Sequence, residues 1–477
     1  MKHTHPISII EDFLRYFLFA AIPLIGGLIS APINPFAWST AVWRSVIILA
    51  LILSWAILSW YKTTFGFTDN AFIIKSGIFF KRLRYIPLNK ISTVSLHNTI
   101  LSSVTGSCRL SVDTLAGNIK NADVTIWINR SKAKNIAKRL SPNNPHAKFY
   151  KYQISRLKIL IMSATASNAA AGLLFAAPAV NNMGELLGEQ FSTRIYGAID
   201  ILSQAAAFGL PPAFAFIAWI FVAGWFISFI RTLQYCLRMS TSRFGAIIHV
   251  NGGLFLPHTS TIDIRRVSAV DIRQTLTSHI LNLYSVYLLS PGYGKQKGSS
   301  SVIFPCENLK GINEKLPVIL PGFPIIKGDL HPARRTLYKF LLLPVNISAI
   351  AILLCVFLSI VFPHLMRIFI LLTIVILIPC IWLAILSYIE WKQSNINLSG
   401  EYISLSCRKF FELHTLSVKK EHIVLHITQS IFQLRDNTCN ITIIIPYEKK
   451  LSFSIRHINM ADLLTFSTEF STFSNNL

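Results

Sequence analysis

The chain has 477 residues, of which 52% are hydrophobic and 14% are charged. Soluble globular proteins carry about 25% charged residues, so this composition excludes an ordinary soluble domain, and 33 Phe residues exclude intrinsic disorder. The 45 Lys and Arg residues against 21 Asp and Glu give a net charge of +24, an excess that must face something anionic. Because the apolar residues come in blocks and do not alternate, a porin-type barrel is disfavoured. The composition predicts an integral membrane protein with helical spans.

Six segments are long and apolar enough to cross the hydrocarbon core, which takes about 20 residues for a helix. They form three pairs, each a predicted transmembrane hairpin: Phe13–Ile29 with Val42–Trp60, Leu157–Val180 with Leu210–Ile230, and Phe340–Phe362 with Met366–Ile389. Lys and Arg are concentrated in the polar stretches outside the hairpins. Because positive charge stays on the cytoplasmic side, we expect a multi-pass plasma-membrane protein with both termini and all three polar stretches in the cytosol.

These spans set the expected domain boundaries. The transmembrane hairpins are predicted at 1–60, at 145–235 with a longer external linker, and at 326–390. Three soluble modules are predicted after them, at 61–144, 236–325 and, in a divergent form, 391–477.

An internal repeat relates the soluble modules. Ile86 to Val94 aligns with Ile262 to Val270 at an offset of 176 residues, and this offset holds over about 60 residues. The third stretch matches more weakly at an offset of 330, where Ile86 meets Leu416. The repeat predicts three related domains.

Each module has the pattern of a small β-sheet followed by one helix. In the first module Phe72–Ile74 and Ile78–Phe80 bracket a predicted hairpin turn, and a strand is predicted over Ile86–Val94. Further strands are expected near Cys108–Asp113 and Val124–Ile128, where apolar and polar residues alternate. The closing helices are predicted at Ser131–Leu140, Glu307–Leu316 and Met460–Phe470.

This layout resembles the bacterial pleckstrin-homology-like (PH-like) membrane proteins of the YdbS/YdbT type, in their three-copy form. The resemblance rests on a transmembrane hairpin followed by Ile73, Gly77, Ile78, Ile86-Pro87-Leu88, Lys90-Ile91, Val94 and Gly106. It implies an α+β membrane protein of three repeats, each a transmembrane α-hairpin followed by a PH-like β-sandwich or barrel capped by a C-terminal helix. It also implies a smaller single-module relative as a partner, and a role in envelope stress or antimicrobial tolerance.

Clusters of cations are the candidate binding residues. Lys75 and the Lys81-Arg82-Leu-Arg84 run flank a predicted hairpin turn, and several cations at one turn attract an anionic lipid headgroup at about 1 kcal/mol each. The competing interpretation is that these cations only set the topology. The complete candidate set is Lys75, Lys81, Arg82, Arg84, Lys90, Arg265, Arg266, Lys419 and Lys420.

The sequence carries no catalytic motif and no metal-ligand spacing, so no catalytic residues, no cofactor and no metal are expected. The seven scattered cysteines form no C-x-x-C pair and are expected to be reduced thiols. The cations lack interleaved stacking aromatics, which disfavours nucleic-acid binding.

The function expected from these features is a non-enzymatic membrane scaffold that binds protein partners or anionic lipid headgroups. The partner is a smaller single-module relative or a second copy of the chain. The alternative is a transporter or export component built on the six spans, which predicts a polar path near Asn168, Asn346 or Ser348. Few ionisable residues lie within the spans, which disfavours transport.

Overall fold

A computed structural model describes residues 1–17, 35–114, 122–140, 149–166, 212–293, 301–324, 328, 330–397, 401–409, 411–446 and 450–467. The described chain divides into two units. The first unit comprises Met1–Gln153, Arg238–Arg266 and Ser290–Ser300, and the second comprises Ile154–Leu237, Val267–Leu289 and Ser301–Leu477.

Helices account for the apolar blocks within the described ranges. Residues 7–17 form α1, and the remaining helices are α2 Pro35–Lys62, α3 Ile100–Thr105, α4 Arg130–Leu140, α5 Arg156–Ala166, α6 Pro212–Cys236, α7 Leu276–Ile280, α8 Leu309–Ile319, α9 Leu337–Val361, α10 Met366–Gln393, α11 Ile431–Arg435 and α12 Met460–Ser467.

Three helical segments in the described part of the chain have the length and hydropathy of membrane spans, which confirms that this is a membrane protein. They are Ser39–Lys62, Arg334–Val361 and Leu372–Gln393. Most of the predicted span Phe13–Ile29 lies outside the described residues, as does the second half of Leu157–Val180.

The first unit contains two antiparallel sheets. A four-stranded sheet has the order β1-β2-β3-β4, and its strands are Lys2–His3, Thr64–Thr68, Ala71–Ser76 and Arg82–Pro87. A seven-stranded sheet has the order β7-β6-β5-β11-β10-β9-β8. In chain order its strands are β5 Ile91–His97, β6 Ser107–Thr114, β7 Val124–Asn129, β8 Phe149–Gln153, β9 Ser240–Phe244, β10 Ile247–Gly252 and β11 His258–Asp263.

The two sheets share a core in the first unit. Phe72 and Ile74 of β3, Leu110 of β6, Ile126 of β7 and Ala133 of α4 belong to one buried cluster. Phe72, Leu110 and Ala133 have no exposed surface. Alternation along each strand directs these side chains to the same face of their sheet.

The second unit also has two antiparallel sheets. The larger has the order β14-β13-β12-β17-β16-β15, and the smaller has the order β18-β19-β20. In chain order the strands are β12 Ala269–Thr275, β13 Leu283–Leu289, β14 Val302–Asn308, β15 Asn395–Asn397, β16 Tyr402–Lys409, β17 Glu412–Lys419, β18 Val424–Thr428, β19 Thr438–Pro446 and β20 Lys450–Asn459. A buried cluster that includes Leu405, Ile441 and Ile458 joins the two sheets.

The predicted single strand Ile86–Val94 is wrong, because a short 3-10 turn divides it. The turn Leu88–Lys90 ends β4 and lets the chain begin β5 in a different sheet. Corresponding 3-10 turns lie at Ile264–Arg266 and Lys420–His422. The first two turns are 176 residues apart, but the third is 332 residues from the first, so the offset of 330 needs a shift of two residues.

The predicted hairpin also needs a correction. Ile78–Phe80 was expected to form its second strand, but these residues belong to the turn, and β4 begins only at Arg82. Gly77, at the start of this turn, has φ +106. An added Cβ there would lie 2.0 Å from the Phe80 carbonyl oxygen. Only glycine fits such a conformation without displacing the backbone.

Candidate functional site

The β3–β4 hairpin carries the strongest concentration of predicted site residues. Lys75 pairs with Leu83 across the hairpin, and Ser76 pairs with Arg82. Lys75, Lys81, Arg82 and Arg84 are all exposed. The structure therefore brings four of the nine predicted cations onto one hairpin.

The four cations do not all lie on one face of the hairpin. Ile74 and its cross-strand partner Arg84 lie on the face that carries the core residue Phe72, whereas Lys75 lies on the opposite face. The Arg84 guanidinium donates a hydrogen bond to the Asp123 carbonyl oxygen. Arg82 and Arg84 thus share a face, and Lys75 approaches an anion from the other side.

Two phenylalanines at the tip of the hairpin are the feature that the sequence analysis missed. Phe79 and Phe80 are 80% and 82% exposed, although fully exposed adjacent aromatic side chains are unfavourable in water. Their position at the turn between Gly77 and Lys81 was visible in the sequence, but the residues were assigned to a strand. An apolar tip with a collar of cations is suited to the boundary between headgroups and acyl chains.

The tip lies beside a membrane-span helix. The ring of Phe79 is 5.8 Å from the ring of Trp55, centroid to centroid. Trp55 lies seven residues before Lys62, the end of α2, which corresponds to about 10 Å along the helix. This contact places the hairpin tip against a membrane-span helix, two turns before the C-terminal end of that helix.

Exposed phenylalanines recur at the corresponding turns of the other modules. Phe255 follows Gly253 between β10 and β11 and is 73% exposed, and Phe411 precedes β17 and is 48% exposed. Gly253 has φ +91, and an added Cβ would lie 2.2 Å from the Leu256 carbonyl oxygen. The hairpin geometry of the first module is therefore repeated in the second.

The other predicted cations have different surroundings. Lys90 is exposed at the end of its 3-10 turn, and Arg266 donates a hydrogen bond to the carbonyl oxygen of neighbouring Asn89. Arg265 forms a bidentate contact with Asp263, with N–O distances of 2.9 and 3.1 Å. That carboxylate neutralises Arg265, so this residue is a weaker candidate for an anion than the hairpin cations.

The two predicted cations of the third module belong to the second unit. Lys419 pairs with Tyr402 in the β16–β17 ladder, and the Lys420 backbone N–H donates to the Glu401 carbonyl oxygen. Both side chains are half-buried. Lys419 precedes the third 3-10 turn and Lys420 begins it, so neither lies on an exposed hairpin like that of the first module.

A buried charge cluster between β12 and β17 was not identified from the sequence. Asp271 has no exposed surface, and its carboxylate accepts from Arg273 Nε at 2.7 Å and lies 3.0 Å from His414 Nδ1. Burial alone raises the pKa of Asp271, but the charges of His414 and Arg273 outweigh it and hold the pKa below its usual value. An acidic and a basic residue two positions apart in the strand Ala269–Thr275 were the available signal.

Other buried carboxylates are paired in the same way. Glu390, which is 2% exposed, accepts from Arg408 at 2.5 Å and from Arg456 at 3.0 Å. Glu307 is held by Lys158 and Lys315 at 2.5 and 3.0 Å. Each acid in these clusters is compensated by two cations or by a cation and a histidine, as structural ion pairs are.

Metal ligands do not gather anywhere in the described ranges, where no group of three His, Cys, Asp or Glu side chains could hold an ion. All seven cysteines are buried and free. Burial raises the pKa of both Cys108 and Cys306 to about 11, so these thiols stay protonated at neutral pH. Of the residues named for a transport path, Asn168 lies outside the described residues, and the Ser348 hydroxyl donates to the Val345 carbonyl oxygen of its own helix.

Comparison with known proteins gives the family. The model of the bacterial PH domain family matches residues 17–144 and 199–316, together more than half of the chain. The chain belongs to the bacterial PH domain family. The resemblance drawn from the hairpin and the Ile86-Pro87-Leu88 segment is thereby confirmed.

The bacterial PH domain relationship extends over nearly the whole length of a curated relative. The chain is 22% identical over 467 residues to the UPF0699 transmembrane protein YdbT of Bacillus subtilis (strain 168), covering 91% of this chain and 90% of that protein. No solved structure matches. The family match and the span helices together identify a bacterial PH-domain membrane protein.

Proposed function

We propose that the protein is a non-enzymatic membrane scaffold of three PH-like modules, each preceded by a transmembrane hairpin and closed by a helix. The three 3-10 turns support the modular reading, as do the helices α4, α8 and α12 that follow the last strand of each module. The positive bias of the polar stretches supports a cytosolic location for all modules and both termini. The scaffold brings protein partners to the inner leaflet, in a role in envelope stress or antimicrobial tolerance.

The first module contacts anionic headgroups through the β3–β4 hairpin. The observation that carries this proposal is the contact of Phe79 with Trp55, because it holds the tip against a membrane-span helix, close to the end from which the soluble module continues. Lys81, Arg82 and Arg84 then face the phosphates directly. Three cations near an anionic leaflet contribute about 3 kcal/mol, which corresponds to roughly a hundredfold preference over a neutral leaflet.

The test compares the full-length chain in nanodiscs of phosphatidylglycerol and of phosphatidylcholine by hydrogen–deuterium exchange. We expect the hairpin peptide to be protected in phosphatidylglycerol, and the protection to fall when NaCl is raised, because salt screens exposed charges. The triple substitution Lys81→Ala, Arg82→Ala and Arg84→Ala should remove the difference between the two lipids.

A matched control removes the same charge elsewhere in the first module. Arg130, Lys132 and Lys134 are exposed on α4, so the triple substitution of these residues by Ala also lowers the net charge by three. We expect this control to retain the protection of the hairpin in phosphatidylglycerol. Equal loss of protection in both triple variants would mean that the hairpin cations act only through overall charge.

A further inference from the structure

Two strand junctions of one kind connect successive modules. In each module, we call the strand before the 3-10 turn the front strand (β4, β11 and β17). We call the strand after the turn the rear strand (β5, β12 and β18). Rear strand β5 pairs antiparallel with front strand β11 within the first unit. Rear strand β12 pairs antiparallel with front strand β17 within the second unit.

Both junctions have the same register. Each rear strand runs to a capping box, in which Thr99, Thr275 or Ser430 caps a short helix. At each junction, the rear-strand residue two positions before the cap lies opposite a front-strand residue of the next module. That residue lies six positions before the first residue of the 3-10 turn of its own module. This rule gives His97 opposite His258 at the first junction and Arg273 opposite His414 at the second, as observed.

One front strand and one rear strand have no such partner among the described residues. Front strand β4 pairs only with β3, and rear strand β18 pairs only with β19. Applied to these two edges, the same rule puts Thr428 opposite Arg82, Ile427 opposite Leu83 and Leu425 opposite Tyr85. Two apolar pairs therefore face each other across the ladder that would form.

The exposure of these edges shows what pairing would bury. Ile427 is 47% exposed, whereas its counterpart Ile272 in paired β12 is 4% exposed. Val424 is 49% exposed and its counterpart Ala269 is fully buried. On the front strand Tyr85 is 58% exposed, whereas its counterpart Ser417 in paired β17 is 3% exposed.

The two edges differ in the protection that sheet proteins use against pairing, because β4 contains Arg82 and Arg84 and ends at Pro87. Proline and lysine within an edge strand, or a covering helix, normally prevent strand addition. Rear strand β18, Val424–Thr428, contains no Lys, Arg, Asp, Glu or Pro, and the register puts Thr428 opposite Arg82 and His426 opposite Arg84. An edge such as β18, which lacks this protection and exposes apolar residues, is suited to β-strand addition.

We propose that the occupant is a second copy of this chain, whose rear strand β18 pairs with front strand β4 and continues the ladder from one molecule to the next. The second copy is favoured because the chain itself supplies both edges, in the register that its two internal junctions use. The contact is head-to-tail, so each molecule offers one front edge and one rear edge and a series of copies forms. Anchoring in one membrane keeps the copies in the same orientation and raises their effective concentration.

Disulfide formation between two differently tagged full-length chains tests the register. One chain carries Leu83→Cys and the other Ile427→Cys, and both are expressed together and oxidised in native membranes. Opposed residues in antiparallel strands have Cα atoms about 4.5–5.5 Å apart, which a disulfide spans. We expect a crosslinked dimer that contains both tags, and neither variant expressed alone should give it. The parent chain is the blank, since its seven cysteines are buried.

The matched control shifts the register by one residue. Arg84→Cys paired with Ile427→Cys puts the two thiols on opposite faces of the sheet, so we expect roughly tenfold less crosslinking than for the in-register pair. Equal yields from both pairs would overturn the proposal. So would an internal disulfide in a single chain that carries Leu83→Cys and Ile427→Cys, because it would show that the chain closes on itself.

A second measurement does not depend on a disulfide. The number of chains per assembly, counted by stepwise photobleaching in membranes, should fall to one when Ile427→Lys puts a charge on the edge. The control Ile431→Lys changes a residue that is 83% exposed but lies beyond the strand, and it should leave the number unchanged. A parent chain that is monomeric, or an equal effect of both substitutions, would contradict the proposal.

This inference rests on the three-module reading given above but not on lipid contact. A chain with the Lys81→Ala, Arg82→Ala and Arg84→Ala substitutions retains the backbone of β4. It should lose the lipid-dependent protection of the hairpin and still form the Leu83→Cys to Ile427→Cys crosslink with a second chain. Failure of one test therefore leaves the other interpretable.

Discussion

Removing the buried carboxylate of Asp271 should destabilise the β12–β17 junction strongly. In Asp271→Ala the Arg273 guanidinium, whose side chain is 29% exposed, loses its 2.7 Å partner, and His414 loses the acceptor at its Nδ1. Breaking a buried ion pair by removing one partner costs about 3–5 kcal/mol, because an uncompensated charge stays in the interior. That is a large part of the stability of an ordinary domain, about 5–15 kcal/mol.

The chain offers a matched surface pair as the control. Asp263 and Arg265 have the same spacing as Asp271 and Arg273, but the Arg265 side chain is 78% exposed. An exposed ion pair contributes about 0–1 kcal/mol, so Asp263→Ala should change the free energy of unfolding by no more than that. The two substitutions remove the same carboxylate and differ mainly in burial, and Asp263 Oδ1 in addition accepts the Arg265 backbone N–H at 3.0 Å.

The assay is chemical unfolding of the full-length chain in detergent, with amide exchange of the β12 and β17 peptides as the local readout. We expect Asp271→Ala to lose at least 2 kcal/mol more than Asp263→Ala, about a thirtyfold difference in the unfolding equilibrium. Apolar replacement of Asp271, Arg273 and His414 together should recover most of the loss, because no unpaired charge remains. Equal losses from the two Asp substitutions would refute the reasoning.

Two further predictions concern the first unit. His97 and His258 stack at 5.8 Å, and burial lowers the pKa of His97 to about 3 and that of His258 to about 4. Between pH 6.5 and 4 the unfolded chain binds protons that the folded chain does not, so unfolding of this junction should become easier as pH falls. From His258 alone, the free energy of unfolding should be about 2 kcal/mol lower at pH 5 than at pH 8. Denaturant unfolding at the two pH values measures this difference, which should shrink in His258→Leu. Gly77→Ala should disrupt the hairpin tip, because the new Cβ collides with the Phe80 carbonyl oxygen. The control Gly106→Ala, at φ +66 with open space around it, should lower the free energy of unfolding by only about 1–2 kcal/mol. Amide exchange of the hairpin that is the same in both variants would contradict this prediction.

Local patterns in the sequence were enough to predict the membrane class and the basic hairpin, and the resemblance of the Ile86-Pro87-Leu88 segment to a known family gave the family. Hydrophobic blocks identify spans because a helix in lipid must satisfy all its backbone hydrogen bonds internally, and α9 and α10 agree with the predicted spans Phe340–Phe362 and Met366–Ile389 to within four residues. The strands Cys108–Asp113 and Val124–Ile128 were predicted to within a residue at each end, since alternation is a local property. The third repeat was aligned two residues out of position because few of its residues match the first.

The amino-acid sequence alone determined that this chain crosses a membrane, repeats a β-rich unit and gathers cations around Gly77, since composition and short-range spacing encode those properties. Tertiary contacts were needed to show that Phe79 meets Trp55, that Asp271 pairs with His414 across 143 residues, and that rear strands join front strands in one register. Pairing of sheet edges depends on backbone groups that every residue shares, and its long-range partners become defined only when the strands have been placed in space.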